Sequence, residues 1–87
     1  MAKCDKIHSA AKENPAGVRF AEAQRLAECF GCILARSEGS HFIYTHEKLT
    51  RPLPLQRDKN GMAKAYQVRQ LLAAIEQITA GDDDEQV

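Results

Sequence analysis

The sequence predicts a small α/β domain of the α+β kind: a three-stranded antiparallel sheet, two main helices on one face, and a short N-terminal helix. Two stretches carry apolar residues at spacings of three and four, the mark of a helix with one buried face. Between them lie three short segments bounded by Gly, Pro, Asn and Ser, which suit strands rather than helices. A length of 87 residues with 44% hydrophobic side chains supports one core and one domain.

Cys4 to Glu13 is expected as the first helix, with Ile7, Ala10 and Ala11 as its apolar stripe, broken by Asn14-Pro15-Ala16-Gly17. Val18 and Phe20 lead into the second helix, where Ala23, Leu26, Ala27 and Phe30 share a face and Gly31 is the C-cap. Cys32 to Arg36 is expected as the first strand, Ser37 to Ser40 as a reversal, and Ser40 to His46 as the second strand. Glu47 to Arg51 reads as a loop. Pro52 to Gln56 is a third strand, confined by two prolines to an edge. Arg57 to Gly61 is a turn, signalled by Asn60-Gly61. The last helix is expected over Ala63 to Ile78, with Val68, Leu71, Leu72, Ile75 and Ile78 on its stripe and Tyr66 against the sheet. Ala80-Gly81 stops it, so that 1–80 form the domain and 81–87 an acidic disordered tail.

Formal net charge is zero but unevenly spread. Residues 36–69 carry seven Lys/Arg against three Asp/Glu, while residues 70–87 carry none against five. A basic middle segment can hold a polyanion through phosphate contacts. The tail, Asp82 to Glu85, either competes with that polyanion or only solubilises the chain. No stretch approaches the ~20 apolar residues of a membrane span, and MAKCDKIH lacks the apolar run of a signal peptide. A soluble cytoplasmic protein with no membrane contact is therefore expected.

Three cysteines, an odd number, fit a reducing compartment better than a disulfide scaffold. Cys29-Phe-Gly-Cys32 has the spacing of a redox pair or of half a zinc site. A redox pair opens a helix, whereas this one closes a helix, and no second ligand pair follows. Cys29 and Cys32 are thus read as small apolar residues at a helix–strand junction, and no metal site is expected. Glycine-rich nucleotide loops are absent, acidic residues do not pair before the tail, and Ser40 and His41 are strand neighbours that point apart.

The second strand holds the candidates for function. His41, Ile43 and Thr45 alternate with Phe42, Tyr44 and His46. With Ile43 beneath the helices, the open face carries Phe42, Tyr44 and His46. Two rings can stack on exposed bases or anchor a protein partner, and aromatics also suit strands for packing alone. The His46 imidazole can move a proton near neutral pH, and a strand-end residue in solvent is the plainer alternative. On this pattern His41 points to the helices and fixes the turn at Gly39-Ser40; a bulge at the turn reverses it and makes His41 the better base. Arg36, Arg51, Arg57, Lys59 and Lys64 are candidates for phosphate contact, and Arg36 and Arg51 also for balancing a phosphorane-like charge.

Val18-Arg19-Phe20, the helix to Gly31, and Gly39-Ser40-His41-Phe42-Ile43-Tyr44-Thr45-His46 together resemble the HicA family of toxin proteins. The stretch from Asn60-Gly61 through Lys64, Tyr66, Gln67, Val68 and Arg69 to Leu72 looks like one branch of that family, and the likeness covers roughly residues 4–80. The resemblance implies a fold similar to a double-stranded-RNA-binding domain. It also implies a ribosome-independent mRNA interferase of a type II toxin–antitoxin module, with mRNA or other single-stranded RNA as substrate and a HicB-like antitoxin as partner. The family motif, Gly-Ser-His-His or Gly-Ser-Asn-His, carries its catalytic histidine last. Gly39, Ser40 and His41 match, but Phe42 stands at the fourth position. Leu53-Pro54-Leu55-Gln56 likewise replaces the family's Val-Pro-x-His-like ending. The expected chemistry is therefore metal-independent and cofactor-free cleavage by His41 or His46, with Arg36, Ser40, Phe42, Tyr44, Arg51, Arg57, Lys59 and Lys64 contacting RNA. The alternative is an inactive RNA-binding or protein-interaction module on the same fold.

Overall fold

In the computed structural model, which describes the backbone of residues 2–86 and the side chains of residues 4–80, three helices accompany one sheet. The order is α1 (Ala2–Glu13), a 3-10 turn (Pro15–Gly17), α2 (Phe20–Cys29), β1 (Ile33–Glu38), β2 (His41–Thr45), β3 (Leu53–Gln56) and α3 (Ala65–Gln86). The sheet is antiparallel, open, and ordered β1-β2-β3. This is the α+β class that the helical and strand patterns predict.

Helix α2 begins where the Arg19 backbone N–H donates to Glu22 Oε1 at 3.0 Å, satisfying one donor at the helix start. It ends in a Schellman motif. Cys32 N–H donates to Ala27 O at 3.0 Å and Gly31 N–H to Glu28 O at 3.1 Å, with Gly31 at φ 89° as the expected C-cap. The turn after β3 is held by Asp58, whose Oδ1 accepts from the Asn60 and Met62 backbone N–H groups at 2.8 and 2.9 Å. Gly61 O then accepts from Phe20 N–H, and Ala63 N–H donates to Val18 O, both at 3.0 Å. These two bonds frame a bridge between Arg19 and Met62, and Ala63 is itself bridged to Arg57, so α3 begins only at Ala65.

The core lies between α2, α3 and one sheet face. Phe20, Ala23, Leu26 and Ala27 of α2 meet Val68, Leu71, Ala74, Ile75 and Ile78 of α3, with Tyr44, Leu53 and Leu55 from the sheet. Each large aliphatic contributes about 1.5–3 kcal/mol by leaving water. The orientation of β2 is opposite to the one expected. Tyr44 is 1% exposed and Phe42 packs on the core, its ring 4.9 Å from that of Phe20. Two aromatic rings remove more apolar surface from water than Ile43 alone, so the rings take the inner face. The Tyr44 hydroxyl accepts from Gln24 Nε2 at 3.1 Å, which lets a phenol be buried. Burial pushes the Tyr44 phenol's pKa up, against a smaller lowering by that bond.

Four further expectations are corrected. Cys29 is no simple apolar residue: it is bonded to Cys4, with Cα atoms 6.1 Å apart, which ties α1 to α2. Closing a loop of that separation, 25 residues, restricts the unfolded chain and is worth about 3 kcal/mol. Cys32 alone is a buried thiol, as expected of a small apolar residue. In α1 the inward stripe is buried Ala11 with half-buried Ile7, while Ala10 is exposed. Tyr66 is 54% exposed rather than packed on the sheet. Helix α3 does not stop at Ala80-Gly81 but runs to Gln86, since a glycine costs a helix only about 1 kcal/mol where a proline ends it. The side chains of the acidic run lie outside the described residues. Among the described residues no helix is long and apolar enough to cross a membrane.

His8 of α1 meets the Phe30 ring edge-on at 5.4 Å, and its Nε2 is buried without a hydrogen-bond partner. Burial lowers its pKa, helped by Lys12 and opposed by Asp5 and Glu76.

Three measurements test this packing. Tyr44→Ala is expected to lose about 3–5 kcal/mol in urea unfolding, as large aromatic truncations in cores do. Ile43→Ser, half-buried on the open face, should cost only about 1 kcal/mol. For His8 the folded pKa lies below the unfolded value of 6.5, so the unfolded chain takes up the proton first as pH falls. Its stabilising contribution is complete above pH 6.5 and is lost as pH falls through the lower folded value. Unfolding measured from pH 8 to 5 should therefore show a slope that His8→Phe removes.

Candidate functional site

Inverting β2 moves the candidate site to the other set of side chains. Cross-strand partners share a face, so the register places Arg36 beside Ile43, Glu38 beside His41, Pro54 beside Ile43 and Gln56 beside His41. These six residues occupy the face opposite the helices. Arg36, Glu38, His41 and Ile43 line one solvent-open depression of about 380 Å³. His41 is exposed there, at the first position of β2, and not turned toward the helices. The reversal needs no bulge at the turn. Gly39-Ser40 forms a plain two-residue connection with Gly39 at φ 58°, and the one register shift lies between Leu34 and Arg36 of β1.

Around His41 the charges are mixed. Arg36 Nη2 lies 3.7 Å from Glu38 Oε2, and both side chains are more than 70% exposed, so the pair contributes little to stability. Arg57 follows β3, and its backbone N–H donates to Ser40 O at 3.1 Å, fixing it beside the β1–β2 turn. Lys59 is exposed in the next turn. The end of the sheet at Gly39-Ser40 therefore gathers an imidazole, a carboxylate and the Arg36 guanidinium, with the Arg57 backbone held at the turn. An imidazole facing solvent can exchange a proton with a bound hydroxyl, and the guanidinium can hold an anion beside it.

The remaining candidates sit elsewhere. His46 lies outside β2, in a turn where its Nδ1 accepts from Lys48 N–H at 3.0 Å and its carbonyl accepts from Leu49 N–H at 2.9 Å. That bond occupies one ring nitrogen and gives His46 the role of a turn cap. Its ring also approaches Gly31: a Cβ there would lie 3.2 Å from His46 Nε2. Phe42 and Tyr44 face the helices and offer no stacking platform. Arg51 lines a separate groove of about 420 Å³ with Leu49, Pro54 and Gln70, between the β2–β3 loop and α3. Lys64 stands before α3, its carbonyl accepting from Gln67 and Val68 N–H groups at 3.0 Å.

Glu38, Ile43 and Gln56 were not among the expected site residues. The signal for Glu38 was present: a two-residue turn at Gly39-Ser40 forces residues 38 and 41 to pair. Gln56 gave no such signal, because its placement depends on the pairing of β2 with β3. Among the described residues no group of three or more His, Cys, Asp or Glu side chains comes together to hold a metal ion.

Gly31→Ala is expected to cost about 1–2 kcal/mol, because φ 89° is strained for any side chain and His46 stands in the way. The ring resonances of His46 should shift in that variant and those of His41 should not. Comparison of the chain with protein families, with curated proteins and with solved structures found no match.

Proposed function

We infer that this protein is a HicA-like RNA-binding domain that cleaves single-stranded RNA, on a fold similar to a double-stranded-RNA-binding domain. The observation that carries this reading is the shared depression of His41, Arg36, Glu38 and Ile43 on the open face of the sheet. In this scheme His41 removes the proton of a ribose 2′-hydroxyl, the oxygen attacks the adjacent phosphate to close a 2′,3′-cyclic phosphate, and the P–O5′ bond breaks as the leaving 5′-oxygen takes a proton from water. Arg36 balances the charge of the phosphorane-like state, and Lys59 in the neighbouring turn positions the next phosphate. Glu38 stands opposite the imidazole across the strand pair, where its carboxylate can accept a hydrogen bond from the ring. Ile43 supports an unstacked base. The reaction needs no cofactor, and a HicB-like antitoxin covering the open face is the matching partner.

One observation favours a second reading, a binding module without catalysis. Phe42, at the position where the resembling family carries its catalytic histidine, packs inward against Phe20. With His46 capping its own turn, His41 is left as the single imidazole on the open face.

Purified protein is expected to cleave a long single-stranded RNA in EDTA. His41→Ala should lower the rate by about 10²–10⁴, the usual contribution of a positioned base. His46→Ala should keep the activity of its folded fraction. RNA binding that weakens steeply with salt, without cleavage by the parent, would select the binding module. Neither cleavage nor binding would defeat both readings.

A further inference from the structure

We propose that β1 is the docking edge for a second copy of this chain, which pairs antiparallel about a two-fold axis at Ser37. The sheet has two edges, and they differ in chemistry. On β3 the outward edge is closed: Pro54 has no N–H, and the Gln56 N–H is taken by Gln67 Oε1 of α3. Because Gln56 N–H points away from β2, the His41–Gln56 pair is the kind that exchanges no ladder bonds. The alternation then gives Phe42 its ladder bonds with Leu55, and His41 its ladder bonds with Glu38. Ser37, opposite Phe42, is left with its N–H and C=O directed out from the β1 edge.

The surroundings of that edge leave room for a strand. All six residues of β1 are exposed, and the helices pack chiefly beneath β3. Ile33 and Leu34, 69% and 43% exposed, lie on the same strand. The irregularity between Leu34 and Arg36 limits the regular edge to Arg36, Ser37 and Glu38. Those three residues are self-complementary. With the axis at Ser37, the two Ser37 residues exchange both N–H···O bonds. Arg36 then stands opposite the partner's Glu38, and Glu38 opposite the partner's Arg36. Such pairs lie at the closer of the two antiparallel spacings, where opposite charges attract and like charges repel. The ion pair spent weakly within each chain is thus exchanged for two pairs between the chains, each at the close cross-strand spacing, which is the argument for a second copy over an unrelated strand.

The resulting sheet has six strands, with both open faces on one side. Across it the row Gln56, His41, Glu38 continues into the partner's Arg36, so each depression gains a cation from the other copy. The pairing itself does not depend on RNA being the ligand of that face.

Sedimentation of the full chain from about 10 µM to about 1 mM, the range of weak edge contacts, tests the proposal. The parent should shift from monomer to dimer. Arg36→Glu and Glu38→Arg should each weaken the dimer by at least about tenfold, since each sets like charges opposite. The double variant Arg36→Glu, Glu38→Arg should restore it. Ser37→Pro removes the outward donor without touching the β1–β2 ladder, and should stay monomeric with an unchanged circular dichroism spectrum. A parent that is monomeric throughout would overturn the proposal, as would a dimer that survives Ser37→Pro or both single charge changes.

Discussion

Phe42 and Tyr44 have to leave water, and the side of the sheet they choose decides almost everything else about this domain. A strand offers two faces and no third option, so turning the rings inward turns His41, Ile43 and Thr45 outward. The choice is energetic. Two rings remove far more apolar surface than one isoleucine, and Gln24 supplies the hydrogen bond that a buried phenol requires. Phe20, at the start of α2, completes the contact from the helix side. The candidate site is thus a consequence of core packing: His41 is available because its neighbour is not.

The helices cover the sheet unevenly, and the uncovered part is where the polar chemistry gathers. Leu53 and Leu55 bring β3 onto the helix layer, and Gln67 seals its edge, while β1 extends beyond the layer with every residue exposed. The Asp58 turn and the bridges from Val18–Phe20 to Gly61–Ala63 stiffen the region beside the β1–β2 turn. Arg57 is held there by its backbone bond to Ser40. A rigid corner bearing an imidazole and the Arg36 guanidinium is the physical basis of the RNA reading. The Cys4–Cys29 bond acts on the other side of the molecule, where it holds α1 to α2.

Much of the fold was legible because local signals agreed with tertiary ones. The apolar spacing in 20–31 and 63–78, Gly31 as C-cap and Asn60-Gly61 as a turn each carried their own physical reason. The facing of β2 was not legible, since alternation fixes which residues share a face and leaves open which face is buried. The Cys4–Cys29 bond joins residues from two helices, and spacing along the chain carries no such information. Arg51 and Lys64 share the basic segment with Arg36 and Arg57 yet sit apart from His41, because charge counted along a sequence says nothing of where loops carry it. His46 shows the same limit: one residue past the strand it becomes a turn cap.

The central claim is that the open face, led by His41, is the face that meets RNA. Titration of isotope-labelled protein with a short single-stranded RNA, followed by amide and histidine ring resonances, tests it most directly. The account predicts shifts at Arg36, Glu38, His41, Ile43 and Arg57, with His8 and His46 unmoved. Shifts confined to α1 or to the groove of Leu49, Arg51 and Gln70, with His41 unchanged, would contradict it.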